Sequence, residues 1–478
     1  MPTTNGNRKI LDLKRWEFCT PAPQATAAAH FIVSSRHYRQ QQLLISSNTG
    51  AQLYNPREDG WILLPSPALA GTFGAGACGV AGSFSIGTAT ATSSLTATAG
   101  TTTSITTNQT LARDLRGYSV FFVGGTNAGK VKTIASNTIG ANAVITFTGA
   151  EAVAFDNTSQ YRLKAPVFYV LGAGTLAAGS FRKYDFATNT WTTLSQTGLP
   201  AAWGTDGRMV STPAWIDTGF KSFATGTATS ATSTTLANSA KAWATNQWVN
   251  SQVRITAGTG AGQIRTVASN TGTALTVSVP WTTTPDATSQ YSIEGNDDFI
   301  YLMGNNAVTL YRYSISGNSW STLTPVAARA AAPGLALGGS WVHSVSEADW
   351  NVENSIRNGR YIYSFRGGAV AALDRYDIAG NTWEVVPYAP GAETFTTGTK
   401  YTYNEDSIYI QKDATGRWFR YDVALNALEP WNTMTYTQGA ALLGDTSFDV
   451  TYKDGATEIT YVYMVLNTST VMLRQMVI

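Results

Sequence analysis

Histidine and cysteine are scarce in this chain and charge is thin: 478 residues hold three His, two Cys and 13% charged side chains, for a net charge of +2. So few imidazoles leave little material for histidine metal centres or acid–base relays. The two cysteines, Cys19 and Cys78, cannot build a disulfide framework and lack metal-site spacing. Both are expected as buried or half-buried free thiols, compatible with synthesis in a reducing cytoplasm. The near-neutral balance carries no basic footprint for reading nucleic acid and no acidic tail. No run approaches the roughly 18–20 apolar residues that cross a bilayer, so no membrane span is expected. The opening stretch MPTTNGNRKILDLKRWEF has neither an apolar h-region nor a small-residue cleavage site, and a secretory leader is not expected.

What the chain does have is aromatic side chains (11%, with 14 Trp and 22 Tyr) and 44 Gly, among many Thr and Ala. That mixture favours strands and turns and predicts an all-β protein. A repeat runs through it. Tyrosine and tryptophan recur at a fixed spacing in YNPREDGW (54–61), YDFATNTW (184–191), YSISGNSW (313–320) and YDIAGNTW (376–383), and YDVALNAL (421–428) keeps the spacing with Leu in place of Trp. An apolar strand precedes each later unit, as in VFYVLGAG, FIYLMGN, YIYSFRGG and SIYIQKD. Between Tyr and Trp lie the Asn, Gly, Asp and Thr that close hairpins. One such unit cannot bury its own aromatics, whereas several stacked radially can.

These units resemble the kelch motif, a β-propeller blade with a Tyr and a following Trp at about this spacing. The glycine pair of that motif survives clearly only as Gly367–Gly368. The resemblance implies a six-bladed kelch-like propeller. Five units are visible, and a sixth is completed by joining the strand around Trp16 to the C-terminal ITYVYMVLNTSTVMLRQMVI. Closing a ring in this way removes exposed sheet edges.

The spacing between units is uneven because of two Thr/Ala/Gly-rich segments. They divide the chain into propeller 1–84, inserted β-domain 85–164, propeller 165–222, inserted β-domain 223–294 and propeller 295–478. The segments match each other: GGTNAGKVKTIASNT (124–138) aligns with AGTGAGQIRTVASNT (257–271), and both end in Asp-x-Thr-Ser-Gln-Tyr. The first contains most of a phosphate-binding loop, G-x-x-x-x-G-K, in Gly124, Gly129 and Lys130. Val131 stands where that loop needs a hydroxyl, and the second copy replaces Lys130 with Gln263. The residues that follow alternate apolar and polar, which predicts a strand where nucleotide binding needs a helix. A hairpin turn is expected, and no nucleotide. The inserts resemble small β modules in virion proteins of tailed bacteriophages, best in residues 226–293 and less cleanly in 87–163, where Lys130 and Lys132 replace Gln263 and Arg265. The changed residues suggest that the two inserts meet different neighbours.

No catalytic constellation emerges. A two-His, two-Tyr copper site has only His30, His37 and His343 to draw on. The nearest relative of a sialidase box, SGNSW at Ser316, lacks its Asp. WVHSVSEADWNVE (341–353) gathers His343, Glu347, Asp349 and Glu353, a grouping that reads first as a polar loop. The pairs Glu58–Asp59, Asp297–Asp298 and Glu405–Asp406 read as solvated turn residues. Trp203 and Arg208 are either partner contacts or filling between blades. The expectation is therefore a non-enzymatic structural protein of a tailed-phage virion, made in the host cytoplasm. It would have no catalytic, metal or cofactor site, and its partners would be copies of itself and other virion proteins. The placement expected is a homo-oligomeric ring in the tail, at the nozzle, tip or fibre-attachment region. A capsid-surface decoration protein or host-glycan adhesin is the alternative.

Overall fold

The computed structural model describes residues 16–477 except 27–30, 36–41, 48–49, 68–72, 75, 93, 173, 205–206, 212–214, 217–218, 221, 305–306, 330–339, 342–360, 367–369, 387–392, 396–398, 405–406, 413–415, 424, 434–446, 455–456 and 467–468. Gly367, Gly368, Glu405 and Asp406 lie outside the described residues. Among the described residues every regular element is a strand, and the strand pairings are antiparallel.

Six sheets have four strands each. Sheet one is Ile32–Ser34, Leu43–Ser46, Ala51–Asn55 and Gly60–Leu63. Sheet two is Cys78–Gly82, Val167–Leu171, Phe181–Asp185 and Thr190–Thr193. Sheet three is Arg208–Ser211, Phe299–Met303, Leu310–Ser314 and Ser319–Thr322. Sheet four runs from Ser340–Trp341 through Tyr361–Phe365 and Leu373–Asp377 to Thr382–Val386. Sheet five runs from Lys400–Asn404 through Ser407–Lys412 and Arg417–Asp422 to Ala427–Thr433. Sheet six takes Ser447–Asp454, Thr457–Val465 and Met472–Val477 from the C-terminal part and Glu17–Phe18 from the N-terminal part. The first strands of the six sheets touch in the order one, two, three, four, five, six and back to one.

The Tyr–Trp repeat has a direct physical reading. In four sheets the two rings face each other across a hairpin, as Tyr54–Trp61, Tyr184–Trp191, Tyr313–Trp320 and Tyr376–Trp383. Their centroids lie 4.9, 5.1, 5.2 and 5.2 Å apart. Such pairs contribute about 0.5–1.5 kcal/mol beyond area burial. The residue five places after each Tyr sits at positive φ: Asp59, Asn189, Asn318, Asn381 and Asn426. In each case its side-chain oxygen accepts the Tyr hydroxyl, at 2.5–2.7 Å. Asn and Asp tolerate this backbone region, and here they also satisfy a phenol whose ring is buried.

The two inserts are seven-stranded sheets. They do not lie in the links between successive hairpin units. Each interrupts a single sheet, leaving after its first strand and returning at its second: one between Cys78–Gly82 and Val167–Leu171, the other between Arg208–Ser211 and Phe299–Met303. A sheet tolerates a long insertion there because only the loop between two paired strands is lengthened. The core of insert 1 (Leu95, Ile105, Phe122, Ile145, Phe147, Tyr161) runs without a break into that of sheets one and two (Phe31, Leu44, Leu53, Phe168, Tyr184). Insert 2 packs a core of its own around Trp243, Trp248, Trp281, Val253, Ile255 and Tyr291.

Candidate functional site

The inserts are built alike strand for strand, and their shared motifs turn out to hold their own loops. The sheet orders correspond throughout. So do the registers: Ser119↔Thr133 and Ser119↔Lys164 in one answer to Gln252↔Thr266 and Gln252↔Glu294 in the other. In the closing motif, Asp156 accepts from Thr126 and Thr158 at 2.7 and 2.6 Å, and Asp286 accepts from Thr259 and Thr288 at 2.7 and 2.6 Å. In the S-N-T motif, Asn137 accepts the Leu115 amide at 2.7 Å and Asn270 accepts the Trp248 amide at 2.8 Å. Each pins a loop that crosses its sheet.

The loop that resembles a phosphate-binding sequence joins the strands Ser119–Gly124 and Val131–Asn137. Its glycine requirement is steric. A Cβ on Gly125, at φ +67°, would lie 1.8 Å from the Thr158 carbonyl oxygen. One on Gly258, at φ +76°, would lie 2.1 Å from that of Thr288.

The residues that differ between the copies do the same work by different chemistry. In insert 1, Lys132 and Lys130 both reach Glu151, at 2.9 and 3.4 Å. In insert 2, Arg265 lies over the Trp281 ring at 5.5 Å and donates to the Pro280 carbonyl at 3.0 Å. Gln263 meanwhile holds the Thr282 and Thr283 amides at 2.8 and 3.1 Å. These four side chains are thus engaged within their own inserts.

The inserts meet each other, and there the chain concentrates its buried charge. Arg162 of insert 1 donates to both Asp297 oxygens at 2.9 Å, and the Lys164 ammonium lies 3.6 Å from the same carboxylate. Gln252 of insert 2 donates to Asn296 and Asp297 at 2.8 and 3.1 Å, and Arg254 pairs with Glu294 at 2.6 Å. The expectation that Asp297–Asp298 is a solvated turn pair is therefore corrected. Asp297 is 3% exposed and bridges two inserts. Asp298 accepts from Ser314 and from the Ser316 amide, both at 2.7 Å. Both carboxylates belong to the segment through which insert 2 returns to sheet three, where the neighbouring cations come from remote sequence.

Burial works to raise the Asp297 carboxyl, and the Arg162 and Lys164 cations outweigh it, holding it below the usual carboxylate range. Burial brings Lys164 down to about 7 against the pull of Asp297. It raises Glu294 despite Arg254.

Beside this network a cavity of about 450 Å³ opens between the inserts, lined by Gln160, Arg162, Gln263, Arg265, Thr282 and glycine-rich backbone. Its lining contains no histidine, cysteine or carboxylate. It therefore offers hydrogen-bond donors and hydroxyls with no acid–base pair. Among the described residues no group of three or more His, Cys, Asp or Glu is placed to hold a metal. No helix among the described residues is long and apolar enough to cross a membrane.

The other sequence candidates disperse. His30, His37, His343, Glu347, Asp349 and Glu353 lie outside the described residues. Asp59 is an exposed turn residue that accepts from Tyr54 and Thr20. Trp203 is 2% exposed, donates to the Gly76 carbonyl at 2.8 Å and fills the space between sheets two and three; Arg208 is 3% exposed. Neither offers a free contact. Cys19 and Cys78 are buried and unbridged, and burial raises the Cys19 thiol to about 11.

Sequence reading missed Arg162, Lys164, Gln252, Arg254 and Glu294. One signal was present: QYRLK and QYSIE end the aligned copies in opposite charges.

No family model matches the chain, and no curated protein matches it. Among solved structures it is similar to one chain of a mitotic checkpoint complex, at 7% identity and a TM-score of 0.37, over 97% of this chain and 91% of that one. It is also similar to phage phi92 endosialidase, at 10% identity and a TM-score of 0.29, over 98% of this chain and 69% of that one. Neither likeness is close enough to bear on function.

Proposed function

We propose that this chain is a non-enzymatic structural protein of a tailed-bacteriophage virion, a tail component of the nozzle, tip or fibre-attachment region that assembles as a homo-oligomeric ring. The observation that carries the reading is the insert pair. Two copies of a β module, whose sequence pattern resembles modules of phage virion proteins, grow from neighbouring sheets and are tied together where Arg162 and Lys164 of the first meet Asp297 at the end of the second. The six four-stranded sheets and the cycle of their first strands support a six-bladed, kelch-like propeller as the rigid body that carries them. The cavity beside the junction is lined by no histidine, cysteine or carboxylate, and the carboxylates of the junction are held by cations. A rigid body with a fixed two-module arm suits repeated contacts around an axis.

The test is native mass spectrometry of the purified chain over a range of concentrations. A closed ring of fixed copy number is expected, and a monomer throughout that range contradicts the ring.

The polar cavity favours one second reading, a capsid-surface decoration protein or host-glycan adhesin, since glutamines, arginines and hydroxyls suit a hydroxyl-rich ligand. Binding of host surface glycan by the purified chain, lost in Gln160→Ala and Gln263→Ala variants, would support that reading over the first.

A further inference from the structure

The contact between the inserts relates equivalent positions to each other. In the aligned copies Val123 corresponds to Thr256, Gly129 to Gly262, Phe121 to Arg254 and Lys164 to Glu294. A Cβ on Gly262 would lie 3.0 Å from the Gly129 nitrogen and 3.1 Å from the Val123 carbonyl carbon. A Cβ on Gly129 would lie 4.0 Å from the Gly262 nitrogen and 3.6 Å from the Thr256 oxygen. Gly129 thus meets Gly262, and each of them meets the counterpart of the residue the other meets. The Arg254 guanidinium lies 5.3 Å from the Phe121 ring centre, again pairing one position with its own equivalent. The charge at the contact is carried by Arg162 and Lys164 of insert 1, which reach Asp297 at 2.9 and 3.6 Å, and insert 1 has no carboxylate at the corresponding place, where Ala165 and Pro166 lead into Val167. Position i meeting j while j meets i is the pattern of a two-fold, self-complementary interface. Here it forms within one chain.

The equivalent positions are not occupied by equal residues. Phe faces Arg, and the Arg162 and Lys164 cations face the Asp297 carboxylate that follows the last strand of insert 2. Two copies of insert 1 joined through the same face would bury Arg162 and Lys164 against the same cations with no Asp297 to meet them. Two copies of insert 2 would set Arg254 against Arg254 and bury Asp297 away from its cations. These groups are buried in the present pair: Lys164 is 1% exposed and Asp297 3%. Like charges juxtaposed without water cost several kcal/mol in pairing.

We infer that this face is a self-pairing surface made one-sided: insert 1 accepts insert 2 and rejects a second insert 1, while insert 2 likewise rejects its own kind. The pair closes inside each chain, and copies of the chain held close together do not cross-link through like inserts. Other surfaces then carry any contact between copies. The inference concerns the face alone and stands whether or not the chain belongs to a virion.

The test makes the two faces alike within the full-length chain. Phe121→Arg with Lys164→Glu gives insert 1 the face of insert 2, including a counterpart of the Arg254–Glu294 pair, so the insert itself retains a satisfied sheet. Hydrogen exchange followed by mass spectrometry reads the turns 125–130 and 258–263 separately from the strands Ser119–Gly124 and Val144–Phe147. Exchange in both turns is expected to rise at least tenfold while the strands stay protected. Adding Arg254→Phe, Glu294→Lys and Asp297→Asn, which moves the cation to insert 2 and removes the carboxylate that the new acid of insert 1 would meet, is expected to restore protection of the turns. Should the first variant fail to fold, Arg254→Phe with Glu294→Lys and Asp297→Asn alone sets a cation against Arg162 and Lys164 and makes the same demand from the other side. Turns that stay protected with the two faces alike, or that stay exposed after the full exchange, would overturn the inference.

Discussion

Inserts 1 and 2 share their strand order, register and loop-pinning Asn and Asp residues, yet they stand on the molecule differently. Insert 1 merges its core with sheets one and two, and it is tied there by Arg113, which donates to Tyr184 and Asn189 at 3.0 and 2.8 Å. Insert 2 closes around its own tryptophans and reaches the sheets through polar contacts, such as Arg312 to Asn250 at 2.9 Å. The substitution pattern accounts for this. Where insert 1 has Leu111 and Leu115, insert 2 has Trp243 and Trp248, and where insert 1 has Glu151, insert 2 has Trp281. One backbone plan can therefore serve as a wing of a larger core or as a separate domain, according to how much apolar volume its own loops bring.

The comparison is broken most strongly through the two cores. Phe122→Ala and Trp248→Ala should each cost about 3–5 kcal/mol. Hydrogen exchange should show the first loosening sheets one and two as well, and the second staying within insert 2. Equal spread from both would contradict two separate cores. Asp297→Ala strands Arg162 and Lys164 in a buried site, with an expected loss also of about 3–5 kcal/mol in chemical denaturation. A loss under about 1 kcal/mol would mean that water reaches the junction.

Loop pinning should be equal in the two copies: Asn137→Ala and Asn270→Ala each leave a buried amide unpaired, for about 1–3 kcal/mol. Unequal losses would show that the shared motif has diverged in role. Lys132→Met and Arg265→Met test an ion pair against a cation–π contact at equivalent places, with about 1 kcal/mol expected for each in the melting curve.

The smallest effect is a pH slope. The folded Lys164 pKa of about 7 lies below the unfolded value of about 10.4, so the unfolded chain binds more protons at this site between those limits. Stability should therefore rise from pH 7 to 9 relative to a Lys164→Met variant. Asp297, held below the usual carboxylate range, stays ionised across that window, while Glu294, raised by burial, opposes the slope only below its own folded pKa. Parallel curves for the two proteins would remove Lys164 from the account.

Much of the fold was legible because it is local. Tyr, Asn or Asp, and Trp within eight residues specify a hairpin, and the repeat of that hairpin announced five of the six sheets. The duplication of the inserts was equally plain in GKVKTIASNT and GQIRTVASNT. The junction was not legible. Its charges sit at 162–164, 252–254 and 294–297, and only the departure of both inserts from the first strands of adjoining sheets brings them together. Asp297 looked like a turn residue because its cations are remote in sequence. The partners of Lys130, Lys132, Gln263 and Arg265, namely Glu151, Trp281 and Thr282, lie across a strand pairing that single-chain patterning does not reveal.

The central claim, that this chain is a ring-forming tail protein of a phage particle, is tested most directly by cryo-electron microscopy of purified particles from the source, with the chain marked by antibody. The account predicts label on the tail, in a ring about its axis. Label scattered over the capsid, or none on any particle, would contradict it.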